Sequence, residues 1–337
     1  MSTQSLPDTM RALHQALPST NLSLIQHPTP TATGPYEHLI RIHAFAPCAG
    51  ELLWPINFPS VLNIPSPTRK LIPCYDFSGT VVTAPPSSPF QPGTEVYART
   101  SPGRTGIASE YGIALTGELA AKPRGLGWEE ASSIPMSAET AWQALFVQAG
   151  LEEINSADVG RNAGKRVLVT GASGGVGVWV VQLAALAGCE VVGTCGPDNI
   201  ELVKSYGAVE AVNYRTTSLK SWVEEDENRM FDVVIDCVGK SSLEDAWWAV
   251  KDNGAVISIC QPPEQLKPKG LEKEGVKNLF FIMTPNGEHL KKITALWEDG
   301  KVRPAVDSVF KFEDFEKGFE RVASGHAKGK VIINVGE

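Results

Sequence analysis

Between Arg166 and Gly188 the hydrophobic pattern changes character twice. Arg166-Val167-Leu168-Val169-Thr170 is a continuous apolar, β-branched run, the pattern of a strand covered on both faces. Gly171-Ala172-Ser173-Gly174-Gly175-Val176-Gly177 then carries too much glycine for helix or strand. Beyond it, Val176, Val180, Leu183, Ala184 and Ala187 recur at helical spacing. Strand, tight turn and helix in that order open a βαβ unit of the dinucleotide-binding kind. Further strands are predicted at Glu190–Thr194, Glu210–Asn213, Phe231–Asp236, Gly254–Cys260 and Asn278–Met283. Their α/β intervals predict a doubly wound parallel sheet of about six strands.

The N-terminal part has a different pattern. Short strands are predicted at Met10–Leu13, Leu22–Ile25, His38–His43, Tyr75–Val82 and Glu95–Ala98. Turn signals separate them: Pro28, Pro30, Gly34-Pro35, Pro65, Pro67, Pro85-Pro86, Pro89 and Pro92-Gly93. Close strands without a long helix predict a β-rich domain of the partly open barrel kind. Trp128–Ser133 and the long apolar stretch Ala138–Ala149 read as helices. After the break Thr284-Pro285-Asn286-Gly287 come a helix at Glu288–Asp299, a strand at Val309–Phe312, a helix at Phe315–Ala323 and a strand at Lys330–Val335. This tail has no place in a six-stranded sheet, so it is assigned to the first domain. The predicted division is 1–140 with 284–337 for the β-rich domain and 141–283 for the dinucleotide-binding one.

Composition narrows the function classes. A length of 337 residues suits two domains, and 42% hydrophobic residues suffice for two cores. No run of about 18 apolar residues suggests a membrane span. A net charge of −8 argues against a broad basic face for nucleic acid. The six cysteines, Cys48, Cys74, Cys189, Cys195, Cys237 and Cys260, form no C-x-x-C pair and read as free thiols in a reducing compartment. Met1 to Pro18 lacks the charged-then-apolar pattern of a secretory signal. A cytoplasmic location is expected, with a mitochondrial one left open.

Taken together, the stretches Val167–Gly177, Asn213-Tyr214, Asp236-Cys237-Val238-Gly239 and the ending Gly329-Lys330-Val331-Ile332 resemble the medium-chain dehydrogenase/reductase superfamily, in its zinc-free quinone oxidoreductase and enoyl reductase branch. The resemblance covers nearly the whole chain. It implies a GroES-like β domain built from both chain ends around a Rossmann domain, an active site in the cleft between them, and a possible homodimer. Ala138-Glu139-Thr140-Ala141-Trp142 is similar to the family's stretch beside the nicotinamide, which makes Thr140 a candidate cofactor contact, as are Cys237 and Val238.

In the zinc-dependent relatives a cysteine, a histidine and a third ligand hold a catalytic metal. By the resemblance Cys48 falls on the first of these positions, Tyr75 on the histidine's, and Met136 near the third. One thiol without partners cannot close a zinc site, and no zinc is expected. Ala172, Ser173, Gly174, Gly175, Val176 and Gly177 are the pyrophosphate candidates, Ala172 standing where the motif has its first glycine. An NAD-preferring site puts a carboxylate at the end of the second strand. Here that position is Cys195, while Asn199, Lys204 and Tyr214, the last matching a family tyrosine, are candidate phosphate contacts. NADPH is the expected cofactor, with NADH possible because Asp198 lies close by.

Without a metal, charge developing on the acceptor's oxygen must be met by hydrogen-bond donors. That favours reduction of a quinone or an α,β-unsaturated carbonyl over alcohol dehydrogenation. Tyr75 is the candidate donor. Cys48, Glu51, Trp54 and Phe58 are candidates for the pocket of a small-molecule substrate. Two alternatives are a free-standing enoyl reductase of a polyketide or fatty-acid pathway, and a non-catalytic NADPH-binding structural or interaction protein.

Overall fold

The computed structural model describes residues 6–59, 71–154 and 162–336. The turn signals Pro65 and Pro67 lie outside the described residues. By its internal packing the chain divides into two compact units. One runs to Met136 and resumes at Thr284; the other is Ser137–Met283.

The first unit opens with β1 (Thr9–Gln15) and β2 (Leu22–Pro28), an antiparallel pair forming its own sheet. β3 (Glu37–Ala46) follows, then a single helical turn, α1 (Trp54–Asn57). Next come β4 (Asp76–Thr83), β5 (Glu95–Arg99), β6 (Tyr111–Leu115) and β7 (Leu119–Ala121), and then the short α2 (Trp128–Ser132). The sequence pattern predicts neither β6 nor β7. One contains Gly112 and the other is only three residues long, so neither shows a readable alternation.

The second unit begins within α3 (Pro135–Trp142). Here the structure corrects the predicted helix Ala138–Ala149. Gln143–Gln148 is a π-helical turn, in which Ala149 N–H donates to the Ala144 carbonyl at 2.8 Å. Over six residues an apolar pattern does not distinguish the two helical pitches. β8 (Arg166–Val169), α4 (Gly177–Leu186), β9 (Glu190–Cys195), α5 (Ile200–Ser205), β10 (Glu210–Asn213), α6 (Leu219–Glu224), β11 (Phe231–Asp236), α7 (Lys240–Ala249), β12 (Val250–Ser258) and β13 (Lys277–Phe280) complete it. The six strands run parallel in the order β10-β9-β8-β11-β12-β13. Leu168, Val192, Val234 and Val256 bury one face of this sheet against Leu219, Trp222 and Trp247.

The chain then re-enters the first unit through α8 (Gly287–Glu298), β14 (Val306–Lys311), α9 (Phe315–Ala323) and β15 (Lys330–Asn334). β15 pairs antiparallel with β3, Ile333 opposite Phe45 and Asn334 opposite Ala44. The seven-stranded sheet thus joins strands from the N-terminal segment, from β3 onward, to β14 and β15 near the C-terminus. Its core joins Ile40, Phe45, Phe77 and Val96 to Phe312, Phe315 and Ile333. The Rossmann sheet and the β-rich domain built from both chain ends are the predicted fold class. Among the described residues no helix is long and apolar enough to cross a membrane.

Candidate functional site

In the Rossmann unit the glycine turn sits at the carboxyl end of β8, where open α/β sheets bind their ligands. Gly171 takes a φ of +61°, a region that favours glycine. Its N–H donates to Thr194 Oγ1 at 3.3 Å, and Ala172 N–H donates to the Thr194 carbonyl at 2.9 Å. Ala172 is fully buried, and its methyl occupies the space that the absence of a side chain on Gly193 leaves on β9. Alanine in the first glycine position is thereby accommodated. Gly177 opens α4 so close to the turn that a Cβ there would lie 2.2 Å from the Gly171 carbonyl oxygen. Ser173, Gly174, Gly175 and Val176 remain partly exposed between them.

A carboxylate not singled out by the sequence pattern organises the neighbouring strand ends. Asp236 is fully buried at the end of β11. Its Oδ1 accepts from Thr170 Oγ1 at 2.8 Å, its Oδ2 accepts from Ser258 Oγ at 2.8 Å, and Gly239 N–H donates to both oxygens at 3.1 Å. Three adjacent strand ends are tied by one side chain. The loop of Cys237 and Val238 is held by them: Cys237 N–H donates to Thr170 Oγ1 at 3.0 Å, and Val238 approaches Gly171. Burial holds the Cys237 thiol well above its ordinary pKa.

The remaining cofactor candidates are placed unequally. Thr140 is buried on α3. Cys195 is 1% exposed, so its side chain belongs to the core, while Gly196 beyond it is half-buried. Asn199 Nδ2 donates to Ser173 Oγ at 3.1 Å, which joins that residue to the glycine turn. Tyr214 is 57% exposed, and its N–H donates to the Cys195 carbonyl at 3.3 Å. Lys204 lies 3.8 Å from Glu201 on the exposed side of α5.

In the β-rich unit the chain meets β4 through Cys74, a non-glycine residue at a φ of +64°. Glu51 is buried beside it. Its Oε1 accepts the Cys74 thiol at 2.9 Å and its Oε2 accepts Cys48 N–H at 3.0 Å. Burial pushes its carboxyl up to about 7. Tyr75 is also buried and stacks on Trp54, ring centroids 6.1 Å apart at 17°. Trp54 is half-buried on α1, and Phe58 beyond it is exposed. One residue further, Asp76 Oδ1 accepts Met136 N–H at 2.8 Å, and Oδ2 lies 3.2 Å from Lys330 Nζ. Lys330 Nζ also donates to the Pro47 carbonyl at 3.0 Å. Burial lowers its pKa, but the acidic groups around it, Asp76 foremost, outweigh burial and raise it, so it stays protonated.

The positions that hold zinc in the metal-dependent relatives offer a poor donor set here. Burial pushes the Cys48 thiol up to about 11, Tyr75 offers a phenol in a ring stack, and Met136 offers a thioether. Tetrahedral Zn²⁺ takes thiolate, imidazole or carboxylate. Among the described residues no three His, Cys, Asp or Glu side chains converge as a metal site.

Glu51 has a consequence for stability. Its folded pKa lies above the ordinary 4.5, so between about pH 4.5 and 7 the folded chain holds a proton the unfolded chain has lost. That contribution is present below the window and lost as pH rises through it. It is on the order of 3 kcal/mol, at about 1.4 kcal/mol per pH unit of displacement. Glu51→Gln should flatten the fall in melting temperature across this window. An unchanged slope would assign the fall to other groups.

Residues 206–333 match the zinc-binding dehydrogenase family. Over 338 residues the chain is 50% identical to a probable zinc-binding oxidoreductase, mitochondrial, of Arthroderma benhamiae, covering 99% of each. Over 323 residues it is 31% identical to the chloroplastic quinone-oxidoreductase QR1 of Triphysaria versicolor, covering 93% of each. The solved quinone oxidoreductase from Coxiella burnetii has the same fold, with a TM-score of 0.83 over 97% of this chain and 99% of that one, at 23% identity.

Proposed function

The chain belongs to the zinc-binding dehydrogenase family, in the quinone oxidoreductase branch of the medium-chain dehydrogenases/reductases, and from that premise we propose that it is an NADPH-dependent reductase of quinones or of alkenes conjugated to a carbonyl, working without zinc. Bound NADPH supplies the hydride. The observation that carries the reading is the donor set at the family's zinc positions, a neutral thiol, a phenol and a thioether, in a chain with a complete nucleotide turn.

The chain's own residues have separable tasks. The backbone from Ser173 to Gly177 binds pyrophosphate at the start of α4, where N–H groups and the helix dipole favour an anion. Gly177 fits this role because only a missing Cβ lets α4 begin there. Asp236 fixes the loop of Cys237 and Val238 against the turn. In the β-rich unit we assign Tyr75 as hydrogen-bond donor to the acceptor's oxygen, where negative charge develops. Glu51, protonated up to about pH 7, keeps a proton one hydrogen bond from Cys74. Oxidation of a saturated alcohol needs a base instead, and a phenol with an ordinary pKa of about 10 is a poor one near neutral pH. The six free cysteines suit a reducing compartment, cytoplasmic or, as in the name of the Arthroderma relative, mitochondrial.

Chelator-treated protein, assayed with NADPH against a panel of quinones and enones, should turn over at least one of them. With NADP⁺ and primary alcohols it should be nearly inactive. Tyr75→Phe should lower kcat by roughly ten- to a thousand-fold. A rate that appears only on adding zinc, or brisk alcohol oxidation by metal-free protein, would overturn the reading. A Tyr75→Phe effect confined to KM would make Tyr75 a wall of the pocket.

A further inference from the structure

We infer that Cys74 is a positioning residue: its thiol, held by Glu51, fixes a strained turn that aims Tyr75 and keeps it stacked on Trp54. The inference rests on the assignment of Tyr75 as donor and deepens it by naming what holds that side chain.

The strain is confined to one buried position. Among the described residues, three that are not glycine take a positive φ: Cys74, Lys240 and Asn253. Lys240 and Asn253 are exposed, whereas Cys74 is fully buried and directly precedes Tyr75. At a φ of +64° a Cβ is crowded by its own backbone, a cost that glycine would not carry. The backbone around it is built on this turn. A Cβ on Gly106 would lie 2.4, 2.4 and 2.5 Å from the carbonyl oxygens of Ile72, Pro73 and Cys74. Those three carbonyls accept the N–H groups of Gly106, Ala108 and Ile107 at 3.0, 3.0 and 2.8 Å. On the far side the Tyr75 carbonyl accepts Thr100 N–H at 2.9 Å.

The Cys74 side chain supplies a reason for a residue other than glycine. Its thiol donates to Glu51 Oε1 at 2.9 Å, while Glu51 Oε2 accepts Cys48 N–H at 3.0 Å. Burial holds the thiol well above its ordinary pKa, so it keeps the proton it donates. One carboxyl group thereby joins two backbones. The first carries Cys74 and, next to it, Tyr75. The second is the turn from Cys48 through Leu53 that leads into α1 and Trp54. The rings at the two ends of this link are the pair that stacks at 6.1 Å and 17°. Glycine at position 74 would relieve the turn and leave the link unmade. Strain kept at a residue beside a functional group is the pattern of a site that is held in place.

Substitutions at Cys74 test this, assayed with saturating NADPH and a quinone that wild type reduces. Cys74→Gly relieves the backbone and should melt no lower than Cys74→Ala, which keeps the strain. Both should nevertheless lose kcat by about ten- to a hundred-fold, the effect of a displacement of about 1 Å, with KM within about three-fold of wild type. Cys74→Ser keeps a donor for Glu51 and should hold kcat within about three-fold of wild type. In the Tyr75→Phe background Cys74→Gly should cost less than about three-fold more, because the hydroxyl it would misplace is already gone. Wild-type kcat in Cys74→Gly, an equal loss in Cys74→Ser, or an undiminished loss in the Tyr75→Phe background makes Cys74 a packing residue. Each of these overturns the inference and leaves Tyr75 as donor. A Tyr75→Phe variant with wild-type kcat overturns the donor assignment and this inference together.

Discussion

Gly177→Val should weaken NADPH binding by more than about a hundred-fold, equivalent to about 3 kcal/mol or more. The clash is with backbone. A Cβ on Gly177 would lie 2.2 Å from the Gly171 carbonyl oxygen, 2.8 Å from Ala172 Cα and 2.9 Å from Gly171 C. No rotamer change relieves contacts made by the Cβ itself. Either the turn opens or the first residues of α4 move, and both displace the N–H groups offered to the pyrophosphate. Alanine carries the same atom, so Gly177→Ala should show much of the effect. The β-rich unit has its own core, around Phe45, Phe77 and Phe312, and should keep its protease resistance. Titration with NADPH is the measurement, and unchanged affinity in the valine variant would remove the turn from the site.

Lys330→Met should destabilise the β-rich unit by about 3–5 kcal/mol, because it strands a buried carboxylate. Asp76 is fully buried, and Lys330 Nζ lies 3.2 Å from its Oδ2. Lys330 Nζ also satisfies the Pro47 carbonyl, in the segment leading to Cys48 and Glu51. The partner substitution separates charge from packing. Asp76→Asn in the Lys330→Met background keeps an acceptor for Met136 N–H and removes the stranded charge, so it should recover most of the loss. Urea unfolding of the two variants and wild type is the check. A neutral Lys330→Met would mean that the pair does not hold this sheet together.

The glycine turn was legible because its determinants are contiguous. Strand, turn and helix are each specified by neighbours within about four residues, and periodicity reports such short-range order. The parallel sheet was legible for the same reason, repeated. The weaker elements were not. β7 is too short to alternate, and the π-helical turn Gln143–Gln148 presents the same apolar residues as an α-helix would.

The individual side chains of the site divide along the same line. From the chain alone, Gly177 and Ala172 already gave the expected dinucleotide turn, and Cys195 at the end of β9, in place of an acid, set the expectation of NADPH over NADH. The candidate zinc positions, Cys48, Tyr75 and Met136, were visible only through the resemblance to the family. Tertiary structure alone decided the rest. Glu51 receives the Cys74 thiol because a helical turn and the start of β4 meet. Lys330 reaches Asp76 only because β15 pairs with β3 in one register, with Ile333 opposite Phe45. A slip of one residue would turn Lys330 to the opposite face of the sheet and leave Asp76 without its charge. Cys195 turns into the core, while Tyr214, singled out by sequence, is exposed. Such contacts depend on which strands pair and in what register, a long-range choice that local periodicity along one chain does not encode.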